Sequence, residues 1–154
     1  MDIGAGTGVF ALIFSKLMSG GRVYACDISG RMIEWMEANL PRPGGDSEGV
    51  VIPVRMEEVS VPLPDGAADM VYMINLHHEL DDPAGNIREA HRLLKTGGKL
   101  MIIDWKNEAT PKGPPLEIRV AEETIMLQMR ECGFSAVTSH RVLPYHNLLT
   151  GEKR

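Results

Sequence analysis

A doubly wound α/β fold, with a mainly parallel sheet and an antiparallel final strand, is predicted by three features of this chain of 154 residues. Short apolar or β-branched runs alternate with helical stretches along nearly the whole length. A glycine turn, Gly4-Ala5-Gly6-Thr7-Gly8, joins the first run to the first helix. An acid, Asp27, closes the second run 19 residues after Gly8. Alternation of this kind implies right-handed crossovers and a sheet covered on both faces. Ligands of such sheets sit at the carboxyl ends of the strands.

The elements follow in order. Residues 1–3 supply only the end of a strand. Residues 9–18, rich in Phe, Leu and Ile, read as a helix buried on most sides and stopped by Ser19, Gly20 and Gly21. Residues 22–26 form a short strand ending at Asp27. Ser29 is the expected N-cap of a helix over 30–39, with Met32, Ile33, Met36 and Leu40 as its apolar stripe. A turn-rich loop at 41–49 leads to a β-branched strand at 50–54. After a loop at 62–66, residues 69–76 read as a buried strand. Pro83 opens a helix expected to run to Lys95, with Gly97 and Gly98 just past its end. A strand follows at 99–104, then a loop at 107–115 that holds three prolines. Residues 121–132 form a helix closed by Gly133, and two strands at 134–142 and 145–150 meet at Pro144. The length suits one domain spanning residues 1–154.

Composition narrows the partners. Sixteen Lys and Arg stand against 21 Asp and Glu, a formal charge of −5, so the basic footprint that neutralises phosphates is missing and nucleic acid is not the expected partner. Cys26 and Cys132 are too few for a disulfide framework and lack metal-ligand spacing, which fits buried free thiols in a reducing cytoplasm. No apolar run reaches the ~20 residues of a membrane span, and no secretory signal precedes the glycine turn. His77 and His78 alone are too close to serve as two ligands of one ion, so no metal site is expected.

The chemistry starts at the glycine turn. Glycines let the backbone turn sharply and approach a ligand without a Cβ in the way. The following helix presents free N–H groups. A carboxylate at the end of the next strand can accept two hydrogen bonds from a ribose diol. Together these features point to an adenosine-containing cofactor. A dinucleotide fingerprint reads G-x-G-x-x-G, whereas here the third glycine comes one residue early, with Val9 in the dinucleotide position.

At this point the chain resembles the class I, Rossmann-like S-adenosylmethionine-dependent methyltransferases. The resemblance is carried by Asp2-Ile3-Gly4-Ala5-Gly6-Thr7-Gly8, by Cys26-Asp27, by Arg55-Met56-Glu57-Glu58 with the segment 62–71, and by Leu93-Leu94-Lys95-Thr96-Gly97-Gly98-Lys99-Leu100. Within the class, His77-His78-Glu79-Leu80 and Asp104-Trp105-Lys106 resemble the branch acting on small metabolites, including quinone-biosynthesis-type enzymes. The resemblance implies S-adenosylmethionine as cofactor and a small-molecule methyl acceptor. It implies that Gly4, Gly6 and Gly8 line the methionine and ribose portions, with Ala5 between them. Asp2 would face the methionine ammonium and Asp27 the ribose hydroxyls, with Ile28 beside it. Met56, Glu57 and Glu58 would meet the adenine, although the family more often has Asp where Glu57 stands. Asn75 would lie at the methionine end.

Direct methyl transfer needs a nucleophile aligned with the sulfur–methyl bond, exclusion of water, and a proton acceptor if the nucleophile is protonated. His77 and His78, just past the fourth strand, are candidates for that base, with His78 favoured. The alternative is that they cap the loop or contact Glu79 and the backbone. His140 and His146 read as structural or exposed, and His91 as a surface residue. Trp105 reads equally as an acceptor wall or as packing. The ten methionines read as core filler, or in part as the lining of an apolar acceptor pocket. The segment Asn75-Leu76-His77-His78 lacks the prolines and aromatic of base-amine methylases, which argues against that acceptor class.

Members of this family begin with helices that cover the cofactor, and here these and most of the first strand are missing. Three outcomes are expected: a true start further upstream, completion of the sheet and lid by a second copy or another chain, or weak cofactor binding with poor turnover. Two other functions stay open at this stage. One is cofactor binding without turnover, as a sensor or partner subunit. The other is nicotinamide-dependent oxidoreduction, against which the glycine spacing argues.

Overall fold

A computed structural model describes residues 1–18, 21–41 and 49–154. Among the described residues the chain divides into two compact units, Met1–Pro62 and Leu63–Arg154. The predicted stop at Ser19 and Gly20, and all of the loop at 41–49 except its two ends, lie outside the described residues.

The first unit holds strands β1 (Asp2–Ile3), β2 (Arg22–Asp27) and β3 (Val50–Arg55), and helices α1 (Val9–Leu17) and α2 (Gly30–Asn39). The strands lie in the order β3-β2-β1 and are parallel, with Ile3 opposite Cys26 and Cys26 opposite Val54. Val23, Ala25 and Cys26 are buried in β2, as a strand covered on both faces requires. Helix α1 corrects the expectation of burial on most sides. Only Ala11 and Ser15, one turn apart, are buried, where the helix packs on β2 and β3. Val9, Phe10, Ile13 and Leu17 share the opposite side and are exposed. A run this rich in apolar residues reveals a helix but not how much of its circumference the sheet covers.

The second unit holds β4 (Ala68–Ile74), α3 (Pro83–Leu93), β5 (Leu94–Trp105), α4 (Glu122–Glu131), β6 (Phe134–Ser139) and β7 (His146–Lys153), with short 3-10 turns at His77–Glu79 and Leu116–Ile118. Its strands run in the order β4-β5-β7-β6. β4 and β5 are parallel, while β7 is antiparallel to both β5 and β6. The α/β class, with parallel strands and an antiparallel last strand, is therefore as predicted.

Several boundaries differ, among them the end of β4 at Ile74 instead of Leu76 and that of β7 at Lys153 instead of Thr150. α3 stops at Leu93, not Lys95, because Leu94 already pairs with Ala68, so Gly97 and Gly98 fall inside β5. The register shifts there, and a Cβ on Gly98 would lie 2.8 Å from the Lys95 carbonyl oxygen. These glycines serve a bulge and not a helix cap. β6 ends at Ser139, short of Val142, after a bulge between Ser135 and Thr138 that puts Ala136 at φ 49. The loop after β5 runs past 115 through the turn at Leu116–Ile118.

Candidate active site

The glycine turn is built from backbone hydrogen bonds before any ligand is considered. The Gly4 and Ala5 N–H groups both donate to the Cys26 carbonyl, at 2.9 and 3.0 Å, and Gly8 donates to Ala5 at 2.8 Å. Gly4, Gly6 and Gly8 have φ of 73, 55 and 73, in the left-handed region that disfavours a side chain. Gly6 and Gly8 use that freedom differently. A Cβ on Gly8 would lie 2.6 Å from Leu40 Cδ1 and 2.9 Å from Met36 Sδ, so Gly8 seats the turn on α2. A Cβ on Gly6 would meet nothing within 4 Å, so open space lies over the backbone there.

Asp27 holds this arrangement. Its two carboxylate oxygens accept from Gly6 N–H at 2.7 Å and from Ser29 N–H at 2.8 Å, and the residue is only 8% exposed. Ser29 occupies the predicted N-cap of α2, but its side chain makes no capping bond. Its place is taken up by the amide that donates to Asp27, which ties the start of α2 to the end of β2. Each carboxylate oxygen keeps a second lone pair for another donor.

The other predicted cofactor residues of this unit distribute around the same strand ends. Asp2 is buried in β1, and Ile28 is exposed directly after Asp27. The Met56 side chain is buried, and its N–H donates to the Asp27 carbonyl at 3.1 Å. Glu57 pairs with Ser60 through the backbone and its side chain is exposed. Glu58 is exposed as well, beside it in the same turn.

The second unit brings the remaining candidates together. Asn75 has φ 56, a left-handed conformation that suits Asn better than most residues, and its N–H donates to the Ile103 carbonyl at 2.8 Å. The two histidines that follow have different surroundings. His77 is 1% exposed, with Nε2 2.9 Å from Gln128 Oε1, and its Nδ1 is buried without a hydrogen-bond partner among the described residues. His78 is held by Asp104. Asp104 Oδ1 lies 2.7 Å from His78 Nδ1, and Oδ2 accepts from the His78 backbone N–H at 3.0 Å. Asp104 Oδ1 also accepts from Trp105 N–H at 2.7 Å, and Asp104 is itself buried. A carboxylate on Nδ1 fixes the tautomer that carries its proton there and leaves Nε2 as an acceptor.

Other side chains fix the loops and helix ends of this unit. His91 is partly exposed, and its ring meets Phe134 edge-on at 5.1 Å and lies against Gly133. Trp105 is packed between partners, with the Arg119 guanidinium 5.3 Å from its ring centre and the His146 ring at 4.1 Å. Arg119 itself was missed. Buried to 8% exposure, its guanidinium donates to the carbonyls of Pro114, Lys106, Glu108 and Lys112 and to Thr110 Oγ1. The loop after β5 is thus folded round one cation. Nothing in the local pattern announces this, because nearly all its partners are backbone. Arg92 does similar work for the loop before β4, binding Glu89, Asp65 and the Leu63 carbonyl.

Burial makes the protonated forms of His77, His91 and His146 less favourable and lowers all three pKa values from the ordinary 6.5. For each, the unfolded chain takes up a proton near pH 6.5 while the folded chain does not. Their contribution to stability is therefore complete above pH 6.5 and is lost as pH falls below it. Urea unfolding at pH 7.5 and 5.5 is expected to show the lower stability at 5.5, and replacing His77 by Gln should shrink the difference.

Comparison with known proteins decides the family. A family model described as a methyltransferase domain matches residues 1–102, which covers the glycine turn, Asp27, the two histidines and the start of β5. The chain belongs to the methyltransferase-domain family. A ubiquinone/menaquinone biosynthesis C-methyltransferase of Laribacter hongkongensis is 30% identical over 124 residues, 77% of this chain and 47% of that protein. A human tRNA N(3)-cytidine methyltransferase is 29% identical over 109 residues, 68% of this chain and 29% of that protein. A crystal structure of an S-adenosylmethionine-dependent methyltransferase from Aquifex aeolicus matches with a TM-score of 0.85 and 31% identity, covering 97% of this chain and 79% of that one. The chain spans about half the length, or less, of the first curated relatives it matches. The predicted resemblance to Rossmann-like methyltransferases is thus borne out. Among the described residues no helix is long and apolar enough to cross a membrane.

Proposed function

We propose that this methyltransferase-family chain transfers a methyl group from S-adenosylmethionine to a small-molecule acceptor by in-line displacement. The observation that carries the reading is the Asp27 carboxylate bridging the Gly6 and Ser29 amides, next to the open backbone of Gly6. That combination offers a fixed anion for a diol and a surface that only a ligand, not a side chain, can cover. S-adenosylmethionine brings a methyl carbon already activated by its sulfonium. Binding and orientation fall to the residues of the glycine turn, to Asp27, and to the exposed Ile28, Glu57 and Glu58 after the neighbouring strands. Asp2, Ala5, Met56 and Asn75 complete the proposed set, the buried Met56 acting through its backbone.

Of the two histidines, His78 is the proposed base. Its Nδ1 proton is held by Asp104, and Nε2, 3.7 Å from Glu79 Oε1, is the atom proposed to accept a proton from a hydroxyl or acidic carbon of the acceptor. His77 is assigned the supporting role, since its ring is buried with Nε2 on Gln128. The relative from Laribacter hongkongensis, named for quinone biosynthesis, supports a small organic acceptor, as does the charge of −5. The two free cysteines fit a reducing, cytoplasmic setting.

The test is transfer of a labelled methyl group to a panel of small phenolic and quinol acceptors. His78→Gln is expected to lower kcat about 10²-fold, with S-adenosylhomocysteine affinity unchanged. Equal turnover by the variant would remove His78 as the base. No transfer to any small molecule by the unmodified chain would count against the acceptor class.

A further inference from the structure

We infer a second ligand site, for a small zwitterion of the α-amino-acid type, in a polar groove at the end of strands β5 and β7. The groove has a volume of about 360 Å³. Its lining includes Lys106 and Glu108 after β5, Glu122 and Glu123 in the first turn of α4, Arg141 in the β6–β7 turn, and Asn147 in β7.

Asn147 is the observation that points to a ligand. The residue is only 5% exposed, yet among the described residues no group hydrogen-bonds its side-chain amide. Neither atom of that amide is fully enclosed, so its remaining exposure is the groove it lines. Only water entering the groove can satisfy that amide, and a ligand seated there would replace it. Asn offers a carbonyl acceptor and an NH2 donor side by side. An ammonium satisfies the first and a carboxylate the second.

The charges around it fit the same ligand. Lys106 is already engaged by the Pro144 carbonyl at 3.0 Å and by Glu108 at 4.0 Å. Arg141 is exposed and makes no ion pair among the described residues. It is the free cation for a carboxylate, helped by the amino end of α4, a helix of 10 residues without a side-chain cap. Glu122 and Glu123 are the free anions for an ammonium. A ligand of one sign would meet repulsion from half of this lining, whereas a zwitterion meets both signs in their favour. The Arg119 clasp holds the loop that carries Lys106 and Glu108. Asn147 is also the direct cross-strand partner of Asp104, so the ligand would lie on the sheet face that holds His78.

This site does not depend on methyl transfer, and its test separates the two. The ¹⁵N-labelled chain, saturated with S-adenosylhomocysteine, is titrated with glycine while the Asn147 side-chain amide signals are followed. Saturable shifts are expected, at least tenfold weaker with acetate or with methylammonium, each of which carries one charge alone. Arg141→Ala, a change at an exposed position, should weaken glycine at least fivefold, and Asn147→Leu, followed by calorimetry because its own amide signals are gone, should bind glycine at least tenfold more weakly without a change in S-adenosylhomocysteine affinity. Glycine binding no better than acetate, or binding that Arg141→Ala leaves unchanged, would overturn the inference. Failure of S-adenosylhomocysteine to bind would count against the proposed methyl transfer and would leave the glycine titration readable by itself.

Discussion

Asp27→Ala is expected to weaken S-adenosylhomocysteine binding about 10³-fold. Two effects add. The carboxylate would no longer accept from the ribose hydroxyls, and hydrogen bonds to a charged group are worth about 1.5–3 kcal/mol each. The Gly6 and Ser29 amides would also lose the acceptor that fixes them, at 2.7 and 2.8 Å, so the turn would have to be ordered at the expense of binding. Asp27→Asn separates the two, because the amide keeps one acceptor oxygen for the loop but cannot serve both amides as acceptor. Its affinity should fall between those of the unmodified chain and Asp27→Ala. Calorimetry on the three proteins checks the order, and an alanine variant that binds as tightly as the parent would show that the acid only shapes the turn.

Gly8→Ala carries the largest expected loss of stability, about 2–4 kcal/mol. A non-glycine residue at φ 73 costs roughly 1–2 kcal/mol. The new methyl group would also enter the space of Leu40 Cδ1 at 2.6 Å and Met36 Sδ at 2.9 Å. Both atoms sit near the ends of flexible side chains, so α2 repacks at a cost of roughly 1–2 kcal/mol instead of losing its seat outright. For a chain of this size the melting temperature should drop by roughly 5–15 °C. Gly6→Ala is the informative companion. It pays the backbone cost alone, since its Cβ meets nothing, so it should be less destabilising and yet obstruct the cofactor. If Gly8→Ala and Gly6→Ala were equally stable, the packing of the turn on α2 would be wrongly described.

What could be read ahead of the structure divides along a physical line. The glycine turn, Asp27 and the alternation of strands with helices are local patterns, because φ preference and periodicity belong to a few adjacent residues. They were legible, and so was Ser29 as the start of α2. The partner that Ser29 actually serves was not, since an exposed-looking cap and an amide donor to Asp27 share the same sequence. The pairing of His78 with Asp104 spans 26 residues and depends on the register of β4 with β5. Sequence reasoning could name both residues but not join them. Arg119 left no trace at all, because its acceptors are carbonyls that every residue carries. Helix α1 misled for the opposite reason: its composition is mostly apolar, while the sheet covers only the side of Ala11 and Ser15. Gly97 and Gly98 resembled a helix stop, and the strand pairing of Leu94 with Ala68 overrode that local signal.

The central claim is that the turn over residues 4–8 and the acid at 27 recognise an adenosyl sulfonium compound and not a dinucleotide. Isothermal calorimetry of the unmodified chain with S-adenosylhomocysteine and, separately, with a nicotinamide dinucleotide tests it most directly. The account predicts one-to-one binding of S-adenosylhomocysteine with a Kd on the order of 1 μM, about −8 kcal/mol, and no heat from the dinucleotide. Preference for the dinucleotide, or no binding of S-adenosylhomocysteine at millimolar concentration, would contradict it.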